Sequence, residues 1–277
     1  MKWFTCVVGL LLCVPAYADD SDFKAWPTFD RIRVGAAVFF PNLETQVSAS
    51  DRQGLAGTNI VFERDLGLAD SKSTALAFLE WRVFKRHALG LNYFKLDRSG
   101  SQVSDIVINF DGQQFSTTSP IQAFFDITAV ELNYRYSILL DARKDWYVGV
   151  GLAAQELGFG LQGRAAVSPG TVVSENVRAT APLPTLATGF KYAVSEKWLL
   201  SANVGYFAVD LDLDDNENFD GSVWNSSIGV RWQAFEHLAF DLAYTDFRVD
   251  VDYEKRDLLA NIDYEYRGPA LGLSVNF

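Results

Sequence analysis

The chain ends in ALGLSVNF (residues 270–277), in which large apolar side chains stand at every second position. Successive side chains of a β-strand point to opposite faces, so Leu271, Leu273, Val275 and Phe277 share one apolar face. A strand with one face for lipid and the other for a lumen is the unit of a transmembrane β-barrel. The stretch therefore predicts that the last strand closes a membrane barrel.

The first 18 residues have the three parts of a secretory signal peptide. Lys2 supplies the amino-terminal charge, an apolar run spans Cys6 to Val14, and Ala16-Tyr17-Ala18 forms an A-x-A cleavage site. The apolar run is shorter than the ~20 residues of a membrane-spanning helix. We predict cleavage after Ala18, a short periplasmic lead over residues 19–28 and a barrel over residues 29–277.

The composition excludes several classes of protein. Both cysteines, Cys6 and Cys13, lie in the predicted signal peptide, so the mature chain has no thiol for a disulfide, a metal site or nucleophilic catalysis. The 24 basic and 35 acidic residues give a net charge of −11. Nucleic-acid binding needs clustered cations, so no nucleic-acid partner is expected.

Alternation of apolar and polar residues dominates the mature chain. Short turns near residues 85–87, 141–144, 195–197 and 235–237 separate longer polar segments, as periplasmic turns and extracellular loops do in outer-membrane barrels. We predict an all-β, closed, antiparallel up-and-down barrel of about ten strands, with eight or twelve as alternatives. The predicted strands are 29–40, 73–84, 86–97, 120–138, 145–162, 177–193, 197–212, 221–234, 238–250 and 261–277. The predicted long loops are 41–72, 98–119, 163–176, 212–221 and 251–260.

Two further observations concern how the strands leave the membrane. Residues 45–50 and 59–64 alternate too, and we place them in a β-rich first loop that extends the sheet, although twelve strands would result if they crossed separately. The alternation also changes phase between Tyr244 and Phe247, and between Tyr266 and Leu271. A one-residue shift is typical of a β-bulge, so we predict bulges at both places.

Aromatic residues mark one end of the predicted barrel. Indole prefers the bilayer interface, and four tryptophans lie within a few residues of the short turns. We predict that they form a periplasmic aromatic girdle: Trp81, Trp146, Trp198 and Trp232.

Charges of both signs fall on the predicted inward face of the periplasmic half. A barrel of ten strands has little lumen, and opposite charges in a narrow space must pair. We therefore predict a salt-bridged plug, with a narrow polar conduit as the alternative. The predicted lumen charges are Arg31, Arg33, Glu80, Arg82, Glu131, Arg135 and Arg231.

No catalytic residue is predicted, because the two histidines, His87 and His237, fall in short turns away from the extracellular mouth. An acidic run contains weak candidates for a metal site at Asp210, Asp212 and Asp214, since hard cations prefer oxygen ligands. A solvated acidic rim explains the run more simply. We predict no metal site and no cofactor, and leave open loosely bound Ca²⁺ or Mg²⁺ at the acidic loops.

The chain resembles the small outer-membrane β-barrels of Gram-negative bacteria, the group of the OmpA transmembrane domain and the OmpW-like proteins. A closer resemblance is to proteobacterial outer-membrane proteins without assigned activity, and it is carried by residues 65–68 (DLGL), 91–100 (LNYFKLDRSG), 181–184 (APLP) and 266–269 (YRGP). The resemblance implies an outer-membrane location, contact with outer-membrane lipid and lipopolysaccharide, and recognition of Leu271, Leu273, Val275 and Phe277 by the barrel-insertion machinery.

The leading functional hypothesis is a non-enzymatic integral barrel, monomeric, that has a structural role or passes small solutes through a narrow pore. The alternative is adhesion or ligand recognition by loops 41–72 and 98–119, where Ile106, Val107 and Ile108 offer apolar contacts. An outer-membrane enzyme is the least favoured class.

Overall fold

The computed structural model describes residues 26–51, 59–103, 108–110, 113–115, 119–164, 172–214, 217–255 and 258–277. The predicted signal peptide and most of the lead lie outside these residues, so cleavage after Ala18 stays a prediction. Ile106 and Val107 also lie outside them, as does the side chain of Ile108.

The described residues form fourteen strands and one short helix, α1 (Phe62–Asp65). None of their helices is long and apolar enough to cross a bilayer. The strands are β1 Ile32–Phe39, β2 Asn42–Asp51, β3 Ile60–Val61, β4 Thr74–Phe84, β5 His87–Gln102, β6 Ile108–Phe110, β7 Gln113–Phe115, β8 Ile121–Leu140, β9 Lys144–Arg164, β10 Val172–Ser195, β11 Trp198–Asp214, β12 Glu217–Gln233, β13 Leu238–Lys255 and β14 Leu258–Asn276.

Ten of these strands form a closed antiparallel barrel, which confirms the predicted fold. The order around the wall is β1-β4-β5-β8-β9-β10-β11-β12-β13-β14, and β14 pairs back to β1 from Phe39↔Ala270 to Arg33↔Asn276. Closure matters because hydrocarbon cannot hydrogen-bond a free backbone N–H or C=O. Residues 85–86, 141–143, 196–197 and 234–237 connect strands at one end, which we call the turn end. The opposite end is the loop end.

Strand β14 has two partners, one for each half. Beyond its ladder with β1 it pairs with β2, from Arg267↔Asn42 to Leu258↔Asp51. Pro41 and Pro269 lie where the partner changes, and neither has an N–H to give. β2 pairs in turn with β3. Both strands lie outside the ring of ten, so the prediction that the first loop extends the sheet is confirmed for residues 45–50 and for Ile60 and Val61, whereas residues 62–64 belong to α1.

The burial pattern of the wall inverts along the barrel axis. In β8, Val130, Leu132 and Tyr134 face outward and are exposed, with polar residues between them on the lumen side. Towards the loop end, Phe125 and Ile127 of the same strand face inward and are buried. The wall is therefore apolar outside and polar inside at the turn end, and the reverse at the loop end, as expected if lipid surrounds the first part and water the second.

The inversion shows that the two predicted bulges are wrong. β13 and β14 keep one unbroken register from Leu238↔Val275 to Lys255↔Leu258. Phe247 and Tyr266 face inward, whereas Leu242 and Leu271 face outward, without any extra residue. The apolar residues change face because the surroundings of the wall change.

Two predicted long loops are also wrong. Residues 212–221 and 251–260 are largely strand, because β11 continues to Asp214, β12 begins at Glu217, β13 continues to Lys255 and β14 begins at Leu258. Acidic residues are depleted in ordinary strands, but these strand ends lie where the outer face is polar. There, charged side chains can point to water while the backbone stays paired.

An apolar core, which we call the roof, fills the lumen at the loop end. Phe62 of α1 is 0% exposed, and its ring stacks on Phe159 at 4.5 Å and meets Phe125 edge-on at 5.4 Å between centroids. Gly67 follows α1 with φ +65°, a conformation that glycine adopts without strain, and the chain turns back there. The roof consists of Phe62, Leu66, Leu68, Leu96, Ile121, Phe125, Ile127 and Leu161.

Arg98 fastens the roof to the wall. Its fully buried guanidinium donates to Glu63 Oε1 and to Thr45 Oγ1, each at 2.5 Å. Glu63 also accepts the backbone N–H of Thr45 at 3.1 Å. Because an unpaired buried charge is costly, these contacts hold α1 in one position inside the barrel.

We expect Phe62→Ala to loosen the roof. Truncating a fully buried phenylalanine costs about 3–5 kcal/mol, and the loss should open the first loop locally, because the hydrogen-bonded wall does not depend on this side chain. Trypsin digestion of the refolded protein, read by mass spectrometry at Arg64 and Lys72, should be faster by about tenfold or more. Phe235→Ala, at an exposed turn position, is the control. Equal cleavage of wild type and Phe62→Ala would contradict this role.

Candidate functional site

The inward faces near the turn end bring charged side chains together across the lumen. We call this set the charge layer, and its members come from seven barrel strands and from the residues that precede β1. It consists of Asp30, Arg33, Glu80, Arg82, Arg135, Asp145, Lys191, Arg231 and Asp241.

Glu80 is the centre of one part of the charge layer. Its carboxylate accepts from Arg33 Nη1 at 3.3 Å, Arg135 Nη2 at 3.1 Å and Lys191 Nζ at 3.2 Å. Glu80 lies on β4, and the three cations lie on β1, β8 and β10. β10 is four strands from β4 around the ring, so the bond to Lys191 spans the lumen.

A second carboxylate connects Arg33 to the other side of the layer. Asp241 accepts from Arg33 Nη2 at 2.7 Å and from Arg231 Nε at 3.3 Å. Arg231 Nη1 donates in turn to Asp30 at 2.6 Å, and Asp30 also accepts from Asn276 Nδ2 at 3.1 Å. Each ion in this series of pairs therefore has a partner of opposite charge, as a narrow, poorly hydrated space requires.

The segment Trp26–Asp30, which we call the strap, lies against the turn end. Pro27 and Thr28 are buried, and Thr28 Oγ1 donates to Ala142 O, in the β8–β9 turn, at 2.9 Å. Arg82 Nη2 donates to Thr28 O at 3.1 Å and to Asp145 at 2.8 Å. The strap thus joins the start of β1 to the turn between the third and fourth strands from it around the ring and covers the charge layer.

Between the charge layer and the roof lies a chamber of about 380 Å³. One side of its lining is polar and comes mainly from β5, β8 and β10–β13. The other side is apolar and comes mainly from β13, β14, β1, β4 and β5. The polar residues are Asn92, Glu131, Asn133, Thr185, Ser201, Asn203, Asn225, Ser227 and Thr245, and the apolar residues are Ala37, Phe39, Leu76, Phe78, Phe94, Phe247, Tyr266 and Ala270.

Glycines on the inward face keep the chamber open. A Cβ atom on Gly189 would collide with the ring of Tyr147, and one on Gly35 would collide with the ring of Phe78. These large side chains therefore lie flat against the wall instead of crossing the lumen. Arg33 packs over Phe78 at 4.4 Å, and Arg135 over Tyr147 at 5.0 Å, from guanidinium carbon to ring centroid.

The predicted lumen charges meet with different outcomes. Arg33, Glu80, Arg82, Arg135 and Arg231 belong to the charge layer. Arg31 has an exposed side chain and does not belong to the charge layer; it precedes β1, which begins at Ile32 and not at residue 29 as predicted. Glu131 faces the chamber and accepts from Asn92 Nδ2 at 2.9 Å.

Four members of the charge layer are not among the predicted lumen charges: Asp30, Asp145, Lys191 and Asp241. The sequence does contain a signal for three of them. Asp145 alternates with Trp146, Lys191 with Phe190 and Tyr192, and Asp241 with Phe240, each at an inward position of its strand. Asp30 precedes β1, where no alternation marks it.

The four tryptophans lie near the short turns on the outer surface. Trp146, Trp198 and Trp232 are exposed and Trp81 is half-buried. Trp198 and Trp232 stack at 6.1 Å. A shared position at a bilayer interface stays a prediction, since no membrane is present.

Asp210 lies on the outer face at the loop end. Its side chain is exposed there, and the side chains of Asp212 and Asp214 are outside the described part of the chain. Within the described part, His, Cys, Asp and Glu side chains nowhere converge in a group of three or more that could hold a metal ion. That these three aspartates, the weak candidates, form no metal site stays a prediction.

Asp250 and Asp263 face each other on neighbouring strands of this outer surface, beyond the apolar belt. Partial burial raises the pKa of the Asp263 carboxyl, and the neighbouring Asp250 raises it further. The pKa of Asp250 is raised by partial burial and then by Asp252 and Asp220. The outer face at the loop end therefore carries carboxylate repulsion at neutral pH that Arg248 relieves only in part.

The histidines lie at the turn end. His87 Nδ1 is 2.6 Å from Tyr134 Oη, and its ring packs among Tyr134, Tyr136 and Phe84 on the outer surface. His237 Nδ1 is 2.9 Å from Asn276 O, and its ring stacks on Phe277. Both are away from the chamber and from the loop end.

Comparisons with known proteins identify the fold. No protein-family model matches the chain, and no curated protein gives a significant match. Among solved structures, the outer-membrane protease OmpT of Escherichia coli aligns with a TM-score of 0.56 at 9% identity, over 88% of this chain and 97% of that one. OprG of Pseudomonas aeruginosa aligns with a TM-score of 0.37 at 11% identity, over 92% and 99%. Ail of Yersinia pestis aligns with a TM-score of 0.33 at 8% identity, over 89% and 99%.

The likeness, at such low identities, concerns the fold. Together with the closed ring of ten strands, it defines the class of protein: a β-barrel of the Gram-negative outer-membrane type. The alignment with OmpT, at 9% identity, shows the fold and transfers no activity to this chain.

Removing the central carboxylate of the charge layer should destabilise the barrel. Glu80→Gln leaves Arg33, Arg135 and Lys191 without their shared partner, and an uncompensated buried charge costs about 3–5 kcal/mol. Urea unfolding in lipid vesicles measures the loss. Glu156→Gln is the matched control, because it breaks an exposed pair with Arg178 that contributes about 0–1 kcal/mol. Equal urea midpoints for the two variants would contradict the prediction that Glu80 stabilises the barrel.

The carboxylate repulsion at the outer face predicts that Asp263→Asn raises the thermal stability of the protein, and that the size of this increase depends on pH. A carboxyl whose pKa is raised in the folded state lowers stability when it is ionised, and that loss is relieved as the pH falls through the folded pKa. Asp263→Asn should therefore raise the thermal midpoint at neutral pH, and the gain should shrink towards about pH 4. Asp70→Asn, at an exposed position, is the control. A lower midpoint for Asp263→Asn at neutral pH would contradict the prediction.

Proposed function

We propose that the protein is a non-enzymatic integral outer-membrane barrel whose lumen is closed, and that its role in the envelope is structural. The proposal rests on the closure of the lumen at both ends. The charge layer and the strap block the turn end, and the roof blocks the loop end. An aqueous channel is typical of barrels with about 16 strands or more, so a ten-strand lumen filled at two levels suits a wall better than a pore.

The outer surface supports the location. Leu271, Leu273, Val275 and Phe277 are all outward-facing, with exposed fractions of 37–67%. They continue a belt of exposed apolar residues on neighbouring strands, which is far larger than the patches of soluble monomers and is suited to lipid. Since one chain completes the ring, a monomer suffices. Contact with lipopolysaccharide and recognition by insertion machinery are part of the proposal.

The absence of enzymatic activity rests on where the reactive side chains lie. Both histidines are at the turn end, and each has a ring contact with aromatic residues of the outer surface or the terminal strand. General acid–base catalysis needs such groups within hydrogen-bond reach of a bound substrate. Neither histidine borders the chamber described above.

Slow passage of small solutes is the second candidate, and the chamber favours it. A solute that crossed the lumen would need a space between two gates, and the 380 Å³ cavity lies between the two closures. Loop recognition by residues 41–72 and 98–119 remains the alternative, and its apolar candidates Ile106, Val107 and Ile108 stay predictions.

Planar-bilayer recordings separate the structural role from passage. Wild-type protein should be silent, because either closure alone blocks the lumen. A variant that lacks residues 19–29 and carries Arg135→Ala should stay silent while the roof is intact. The same variant should conduct once residues 59–68 are replaced by a Gly/Ser linker, which removes the centre of the roof. The linker alone is the control.

Discrete, reproducible openings of the wild type would overturn the structural proposal and favour passage. Conduction by the variant with an intact roof would show that the roof does not seal the loop end.

A further inference from the structure

The chamber exposes polar side chains that the surrounding protein does not satisfy. Asn133, Thr185, Ser201, Asn225 and Thr245 line it, and none of these five makes a side-chain hydrogen bond to another described residue. A polar group removed from bulk water without a partner costs about 1–3 kcal/mol. The occupant of the chamber must therefore offer hydrogen-bond donors and acceptors.

The opposite side of the chamber favours an occupant with an apolar face. Phe247 and Tyr266 stack there at 4.6 Å, and Phe94 meets Tyr266 edge-on at 5.4 Å between centroids. Leu76 and Ala37 continue this surface. Water gains no hydrogen bond from these groups, whereas burial of an apolar ligand surface is favourable by about 25 cal/mol per Å².

The charges around the chamber select against an ionic occupant. Glu131 faces the chamber with only the Asn92 amide as a described side-chain partner. At the floor, four cations, Arg33, Arg135, Lys191 and Arg231, face the two carboxylates of Glu80 and Asp241. An anion would meet the carboxylate of Glu131, and a cation would meet the excess of cations at the floor, so a neutral molecule avoids both repulsions.

The mixture of donors and acceptors points to hydroxyl groups. Glu131 only accepts hydrogen bonds, and Arg135 only donates them. The asparagine amides do both. A hydroxyl group donates and accepts at once, and it can therefore satisfy every polar group of this lining.

We propose that the chamber is a binding site for a small, uncharged, polyhydroxylated ring molecule of the size of a mono- or disaccharide. Its volume of about 380 Å³ lies near the lower end of the roughly 300–1,000 Å³ typical of ligand pockets. The hydroxyl groups bond to the polar side, and the C–H face of the ring packs on Phe247, Tyr266 and Phe94. Binding requires no conduction, so this inference is independent of the proposed structural role.

Refolding in the presence of radiolabelled glucose or maltose at a series of concentrations, followed by removal of the free sugar by dialysis and counting of the sugar retained per barrel, tests the proposal. The full mature chain is refolded into detergent micelles with the probe present, which gives the sugar access before the barrel closes. One saturable site per barrel is expected for at least one of the two sugars. No saturable binding of either would mean that the chamber holds only water, and the proposal would fail.

Two variants locate the site. A Cβ atom on Gly205 meets its nearest neighbours at 3.5–3.8 Å, so Gly205→Leu fills the chamber without a backbone clash. It should weaken binding by about tenfold or more, a loss of at least about 1.4 kcal/mol. Gly158→Leu is the matched control, because its nearest neighbours are Asp126 and Arg178 on the outer face, and it should bind as wild type does. Thr185→Val removes one hydroxyl with little change of shape and should weaken binding too.

Charged analogues test the class of ligand. Glucuronate and glucosamine at neutral pH should bind more weakly than glucose by about tenfold or more. Equal affinity of either analogue would overturn the argument for a neutral ligand. Binding that survives in Gly205→Leu, with the barrel folded as judged by its heat-modifiable gel shift, would put the sugar outside the chamber and overturn the proposal.

Discussion

The hydrogen-bonding demand of a backbone in lipid governs this structure. Every N–H and C=O that faces hydrocarbon needs a partner in the sheet, and the β1–β14 ladder supplies the last of them. Three ladders shift register beside the short turns, at Arg82/Phe84, Ser137/Leu139 and Ala193/Ser195, and one ladder ends early towards the loop end. β10 and β11 stop pairing beyond Leu186↔Tyr206, although both strands continue, and Pro182 and Pro184 follow there on β10. Complete pairing thus coincides with the apolar belt, and incomplete pairing with the polar outer surface.

Closing the ring creates a second demand, because a lumen must be filled or hydrated. At the turn end the filling is ionic, and Glu80 holds cations from three other strands. Such pairs offset the cost of burying their own charges more than they add stability, but each one fixes the distance between two parts of the wall. At the loop end the filling is apolar, and it is supplied by Phe62 of α1, by Leu66 and Leu68 after it, and by inward side chains of β5, β8 and β9. The chamber is the space between these two fillings, with the charge layer on one side and the apolar roof on the other.

The fold could be predicted from the sequence because period-two alternation survives in every barrel strand, and the short turns separate the strands clearly. The lumen was harder to predict. Lys191 and Asp241 stand alone between large apolar residues, and their partners are set by the shear and diameter of the barrel, which no local pattern contains. Phase changes at Phe247 and Tyr266 have two physical causes, a bulge or a change of surroundings, and only the register distinguishes them. The acidic strand ends were assigned to loops for a related reason, since strand propensity depends on which side meets water.

The inversion of the wall fixes how deep the barrel can sit in a bilayer. Along β13, outward Tyr244 is followed by outward Asp246 and Arg248, while inward Asp241 is followed by inward Phe247. Sliding the barrel outward by two residues, about 7 Å, would expose apolar rings to water. Sliding it inward would push carboxylates and guanidinium groups into hydrocarbon. The positions of these side chains therefore set the bilayer thickness that the barrel matches, and a thinner or thicker bilayer would have to deform around it.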